Sequence, residues 1–170
     1  TIIAPAEPAR GNGALLIDVP NRGRAISSSL YNSPRHVLVP LGSFDQGTGF
    51  LQDYGYAVAV IAWELGYGVD LPTFTGPDGK PRYVEGAALA IVRDVADFLA
   101  NAAADSTGQR NPLAGTINRT LALGYSQTGR FLKSFLVRGF NTAEGRRPES
   151  PAVVSVLVGC GLPGVRQDEG

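Results

Sequence analysis

The chain has 170 residues, of which 44% are hydrophobic and 18% are charged, a composition typical of one globular domain or of part of a larger one. Its 15 Lys and Arg residues balance 15 Asp and Glu residues, so it lacks the basic excess of a nucleic-acid-binding protein. With 1 Cys and 1 His, the chain offers neither an internal disulfide bond nor a metal site built from several Cys or His ligands.

Targeting signals are not visible in the sequence. No basic segment followed by an apolar one opens the chain, and its apolar runs are too short to span a membrane. Because the chain contains 0 Met, even at its first position, we expect it to be a processed chain or a piece of a longer gene product. Its compartment stays open, since a cytoplasmic and an exported location both fit.

The first half of the chain contains two predicted strands. Residues 14–19 form an apolar run that Pro20 ends, and most of 27–49 is predicted to be loop. Residues 50–55 are typical of the end of a helix that stops at a glycine. The following run, 56–63, is apolar without alternation, which indicates a strand buried on both faces of a parallel sheet.

The second half continues the alternation of strands and helices. Residues 66–82 are rich in Gly and Pro and are predicted to form a loop, and apolar residues at helical spacing predict a helix over 85–104. A short strand at 119–123 precedes a second helix that ends at Gly139, and 153–158 is another buried strand. The pattern predicts an α/β fold with a mostly parallel sheet and helices on both faces.

One motif in this pattern carries chemistry. Gly124 and Ser126 lie directly between the strand at 119–123 and the following helix, and Gly129 follows three residues later. A nucleophile elbow requires this context, because a sharp turn from strand to helix lifts the serine above the sheet. Thr128 occupies the place where the stricter pattern has its second glycine. We predict that Ser126 is a nucleophile and that the N–H of Gln127 stabilises the oxyanion.

A structural role for the same serine is the alternative. Serine is a preferred N-cap residue, so Ser126 could simply begin a helix. The buried strand before it and the amphipathic helix after it favour the nucleophile.

The residues around this motif resemble a known family. The run 124–132, with 139–141 after it, is similar to the elbow region of an uncharacterised bacterial subgroup of the alpha/beta-hydrolase-domain family, whose elbow has the form GYSQTGR. The resemblance covers about residues 12–165. Three further segments match the family's pattern in order: 19–23, 50–63 and 153–159.

The resemblance implies an alpha/beta-hydrolase fold and assigns roles to residues. It implies that 1–170 is a partial catalytic domain, that Ser126 is the nucleophile and that Gln127 supplies one oxyanion N–H. The second donor is expected from the loop formed by Asn21, Arg22 and Gly23. In this family the triad acid and histidine follow the serine, yet no His follows it here, so we expect both beyond Gly170.

Other reactive residues have plainer interpretations. His36 precedes the serine; it could be the base, since a triad is defined by geometry, but its Pro-flanked context is more typical of a loop histidine. Asp168 and Glu169 are predicted to be solvated near the chain end. Cys160, which follows a buried strand, is predicted to pack as a small apolar residue.

The sequence therefore predicts a serine-dependent acyl hydrolase, specifically a carboxylic-ester hydrolase. It would act on a small-molecule ester without cofactor or metal, in a pocket that Trp63 and Tyr125 help to line. Trp63 and Glu64 end a central strand at the carboxyl edge, where ligands bind in parallel sheets. The alternative is a catalytically inactive alpha/beta-hydrolase-like binding module that lacks the triad histidine. The oligomeric state stays open.

Overall fold

A computed structural model of the protein describes residues 1–20, 54–64, 69–125, 127–142 and 155–159. Their strands are β1 (Ile2–Ile3), β2 (Ala14–Asp18), β3 (Ala57–Val60), β4 (Phe74–Thr75), β5 (Pro81–Arg82), β6 (Arg119–Tyr125) and β7 (Ser155–Gly159). The helices are α1 (Ala87–Asn101) and α2 (Gln127–Val137), and a short 3₁₀ helix spans Pro8–Arg10.

Five strands form one mostly parallel sheet, as predicted. Their order is β1-β3-β2-β6-β7, and β2 pairs in parallel with both β3 and β6. Strand β7 is parallel to its neighbour β6. Among the described strands of this sheet, only β1, the outermost strand beside β3, is antiparallel to its neighbour. The carboxyl ends of β2, β3 and β6 therefore lie at one edge of the sheet, which we call the carboxyl edge; the opposite one is the amino edge.

Both faces of the central strands are buried, which explains their unbroken apolar runs. Leu15 and Ile17 of β2 pack with α1 and α2 in the main core, whereas Leu16 points to the opposite face with Val58 and Leu123. Both described helices contribute to the same core. The helix predicted to end at 50–55 falls mostly outside the described residues, so helices on both faces stay a prediction.

The short elements were not predicted. Residues 66–82, expected to be loop, contain an antiparallel pair, Phe74–Thr75 with Pro81–Arg82, and β1 pairs through Ile2–Ile3 alone. Strands of two residues are too short to show a periodic pattern, and both residues of β4 and of β5 are exposed, so burial leaves no apolar signal there.

Both predicted helices are confirmed, and the structure defines where each of them ends. Helix α1 ends at Asn101 and not at 104, because the buried side chain of Asn111 binds its last turn. Helix α2 stops before Gly139, which has φ 75°, a left-handed conformation that glycine adopts without strain. The Phe140 N–H then donates to the Phe135 carbonyl at 2.9 Å, as in a Schellman ending.

Candidate functional site

At the carboxyl edge, one residue separates the end of a strand from the start of a helix. Strand β6 ends at Tyr125 and α2 begins at Gln127, so Ser126 is the only residue between them. Ser126 itself lies outside the described residues. The described positions of Tyr125 and Gln127 show where the strand ends and where the helix begins.

Gly124 lets α2 pack directly against the end of β6. A Cβ atom built on Gly124 would lie 2.8 Å from the carbonyl carbon and oxygen of Thr128 and 2.9 Å from Leu132 Cδ1. No side chain fits in this space, so the first turn of the helix crosses the strand at backbone distance. Thr128, which replaces the stricter motif's second glycine, is 1% exposed and is accommodated inside the protein.

The helix supplies a positive electrostatic environment at this turn. Gln127 is the first residue of α2, and the first four N–H groups of a helix have no acceptor within it. These N–H groups carry the positive end of the helix dipole. A developing negative charge beside Ser126 would therefore be stabilised by the helix N-terminus.

Trp63 connects two segments at the carboxyl edge. Its indole Nε1–H donates to the carbonyl oxygen of Pro20 at 2.7 Å, and its ring lies 4.3 Å from the ring of Phe131, centroid to centroid. The residue is 8% exposed and belongs to the main core. The structure thus places Trp63 under the site, between the end of β2 and α2; its predicted contact with substrate stays a prediction.

Glu64, the next residue, reaches the same helix. Its Oε1 accepts a long hydrogen bond of 3.4 Å from Gln127 Nε2, and its Oε2 is enclosed without a donor among the residues that the structure describes. The sequence predicted that Trp63 and Glu64 end the strand, which was wrong: β3 ends at Val60, and both residues lie in the segment that follows it. Nothing in the sequence indicated the contact between Glu64 and Gln127. The two residues are 63 positions apart, and only the sheet topology brings them together.

The chain leaves β2 beside β6, where the second oxyanion donor is expected. The Val19 N–H donates to the Leu123 carbonyl at 3.1 Å, and both Val19 and Pro20 are buried. The predicted donors Asn21, Arg22 and Gly23 follow immediately but lie outside the described residues. Their approach to Ser126 therefore stays a prediction.

The family comparison agrees with this architecture. A family described as an alpha/beta hydrolase domain matches residues 54–157, which run from the turn before β3 into β7. The chain belongs to the alpha/beta hydrolase domain family. No curated protein and no solved structure matches it. Membership of this family indicates a hydrolase-type function.

Several predicted residues of this alpha/beta hydrolase domain cannot be placed. Tyr125 is the last residue of β6, but the position of its side chain is not described. The other reactive residues that the sequence singled out lie outside the described residues: His36, Cys160, Asp168 and Glu169.

The sequence did not single out Asp18. It is the last residue of β2 and is 5% exposed, so the hydrolase domain holds a buried carboxyl group at the carboxyl edge. A charged residue that ends a five-residue buried strand was the available signal. Buried carboxyl groups require compensating partners, which makes Asp18 part of the polar framework of this edge.

A small, open concavity among the described residues lies at the other end of the sheet. Its volume is about 50 Å³, and Gly13, Ala14, Pro112 and Leu113 at the amino edge contribute to its lining. None of its lining residues is titratable. This concavity therefore offers no titratable acid or base.

The described residues show neither a metal site nor a membrane-spanning helix. Within the described ranges, no group of three or more His, Cys, Asp or Glu residues is arranged to hold a metal ion. The helices α1 and α2 are both too short to cross a membrane.

Proposed function

We propose that this protein is a serine-dependent acyl hydrolase that cleaves carboxylic esters, with Ser126 as the nucleophile. The proposal is carried by one observation: a single residue separates the end of β6 from the start of α2, and Gly124 lets the helix pack at backbone distance. An alpha/beta-hydrolase nucleophile elbow requires this strand-to-helix turn. The family match supports the broader hydrolase assignment.

The reaction would proceed through an acyl-enzyme. Ser126 Oγ attacks the ester carbonyl and transfers its proton to a histidine base, which then protonates the departing alcohol. Water, activated by the same histidine, hydrolyses the acyl-enzyme and releases the acid. The base is proposed to be a histidine beyond Gly170, with His36 as the alternative within this chain. Residues 1–170 would accordingly form part of the catalytic domain.

Two N–H donors would hold the oxyanion during both steps. Gln127, at the start of α2, would supply one of them, and the loop of Asn21, Arg22 and Gly23 would supply the other. Loss of one such donor typically costs about 10²–10³ in kcat. The pairing of Val19 with Leu123 supports this arrangement, because it holds the chain two residues before the loop beside the end of β6.

The substrate is proposed to be a small-molecule ester bound above the carboxyl edge. Tyr125 precedes the nucleophile and would line the pocket. Trp63 is mostly enclosed, so its contribution would be to support the pocket wall from below. This chemistry needs neither a metal ion nor an organic cofactor.

Hydrolysis of p-nitrophenyl esters of increasing acyl length by the natural gene product tests the proposal. The wild-type protein should hydrolyse at least one of them, and Ser126→Ala should lower kcat by about 10³ or more while leaving the melting temperature unchanged. Equal rates for the wild type and Ser126→Ala would refute the nucleophile. If the wild type hydrolyses no ester, the inactive binding module becomes the better description.

A further inference from the structure

Two consecutive residues in the segment after β3 contact one face of α2. Trp63 packs its ring against Phe131, and Glu64 accepts a hydrogen bond from the Gln127 side chain. Gln127 and Phe131 are four residues apart, so they lie one above the other on the same face of the helix. The start of α2 is therefore contacted by two residues of the segment that follows β3.

The orientation of Trp63 is itself fixed. Its Nε1–H is bound to the Pro20 carbonyl at 2.7 Å, a short and buried hydrogen bond. The indole therefore cannot rotate without losing this bond or leaving a buried donor unpaired. Phe131 packs against a ring whose position is set by the end of β2.

The Glu64 carboxylate is hydrogen-bonded less completely than the Trp63 indole. One carboxylate oxygen makes a single long hydrogen bond of 3.4 Å, and the other is enclosed without a donor among the described residues. A carboxylate has about four acceptor positions, and an enclosed oxygen without a donor is destabilising. Leucine, which is similar in size, would avoid this cost, so stability does not explain the carboxylate at this position.

We propose that Trp63 and Glu64 are positioning residues that fix the first turn of α2 and thereby aim the Gln127 N–H at the oxyanion. This inference rests on the proposed function. The inference concerns contacts inside the protein: Trp63 is buried, and the second Glu64 oxygen is enclosed. Glu64 acts through the Gln127 side chain, and Trp63 acts through Phe131.

A double-mutant cycle on ester hydrolysis tests the inference in the natural gene product. Glu64→Leu should lower kcat about tenfold with KM changed less than about threefold, because a misdirected donor loses less than the ~10²–10³ of a missing one. Gln127→Met, which keeps the backbone N–H, should cause at least this loss. The double variant should be no worse than Gln127→Met alone, because each single change already removes the hydrogen bond between the two side chains.

Matched variants separate positioning from stability. Glu64→Gln retains a carbonyl acceptor for Gln127 Nε2 and should stay within about threefold of wild-type kcat. Glu64→Leu should keep or raise the melting temperature. Glu85→Leu removes an exposed carboxylate that pairs with Arg138 at 3.0 Å and should leave kcat unchanged. Trp63→Phe keeps the ring contact but not the bond to Pro20, and should lower kcat less than Glu64→Leu does.

The possible failures are distinguishable. Three outcomes overturn the inference. Glu64→Leu could keep the wild-type kcat, or its loss of kcat could be additive with that of Gln127→Met. The third is a loss of kcat in Glu64→Leu that is accompanied by a fall in melting temperature. In these cases the wild type still hydrolyses esters and Ser126→Ala does not. If the wild type and Ser126→Ala do not differ, the proposed function fails, and the inference fails with it.

Discussion

The amino edge and the carboxyl edge of the sheet differ in how completely a buried polar side chain is hydrogen-bonded. At the amino edge, Asn111 Nδ2 lies 2.8–3.0 Å from the carbonyl oxygens of Phe98, Leu99 and Ala102, and its Oδ1 accepts from the Leu113 N–H at 2.9 Å. At the carboxyl edge, Glu64 has one long hydrogen bond and an enclosed oxygen without a donor among the described residues. The Asn111 side chain at the amino edge is thus fully hydrogen-bonded, whereas at the carboxyl edge, where the chemistry is proposed, one oxygen of Glu64 has no donor among the described residues.

The largest expected effect on stability is at the amino edge. Asn111→Ala removes the hydrogen-bond donor of three carbonyl groups at the end of α1 and leaves the Leu113 N–H without its acceptor. We expect a loss of about 2–4 kcal/mol in the free energy of unfolding, from the net hydrogen bonds and the unpaired groups. Urea denaturation of the natural gene product measures this loss.

The control for Asn111→Ala is Asn101→Ala, which removes an exposed hydrogen bond to Asp97 and should cost less than about 0.5 kcal/mol. The folded fraction of Asn111→Ala should keep wild-type kcat. A lower kcat at unchanged stability would contradict the division between the two edges.

A smaller loss of stability, accompanied by a loss of activity, is expected at Gly124. A Cβ at this position would lie 2.8 Å from the Thr128 backbone, so Gly124→Ala must displace the first turn of α2. Overpacking of this kind costs about 1–3 kcal/mol. We expect kcat to fall more than tenfold, since the helix also positions the proposed oxyanion donor.

The matched control for Gly124→Ala is Gly108→Ala, because Gly108 lies in an exposed turn where a Cβ would meet no atom within 4 Å. Gly108 has φ 87°, so its substitution costs stability through backbone strain alone and should leave kcat unchanged. Wild-type kcat in Gly124→Ala would show that the helix does not need backbone contact with β6.

The smallest expected effect concerns a surface turn near the amino edge. The Thr107 hydroxyl donates to Asp105 at 2.7 Å, and this hydrogen bond, followed by those from backbone N–H groups, lowers the pKa of the Asp105 carboxyl. Because folding lowers this pKa, the turn's contribution to stability is present above the unfolded pKa and is lost as pH falls through the folded value. Thr107→Val should raise the Asp105 pKa toward its ordinary value.

An NMR titration of the Asp105 carboxyl in both proteins measures this shift. Because the group is exposed, the melting temperature at neutral pH should barely change. An Asp105 pKa that is equal in the wild type and in Thr107→Val would contradict the hydrogen bond as its main cause.

The sequence was sufficient for the long elements and insufficient for the contacts between them. Strand β3 was predictable because an apolar run without alternation indicates burial on both faces, and α2 was predictable up to its stop at Gly139. The contact between Glu64 and Gln127 was not, because it depends on which strands are neighbours at the carboxyl edge. Local pattern carries no information on such long-range pairing.

The same limit applies to the site. The succession of β6 and α2 on either side of Ser126 was predictable because the strand, the glycine and the helix are consecutive in the chain. The burial of Trp63 was not, since a tryptophan at the end of a strand can either line a pocket or support it. Its hydrogen bond to Pro20 and its contact with Phe131 become visible only when three segments are brought together.

The most direct test of the central claim is covalent labelling at the carboxyl edge. The natural gene product should be treated with a fluorophosphonate probe and digested, and the labelled peptide should be identified by mass spectrometry. The account predicts one adduct, on Ser126, that is absent in the Ser126→Ala variant. An unlabelled wild-type protein, or an adduct on another residue, would contradict it.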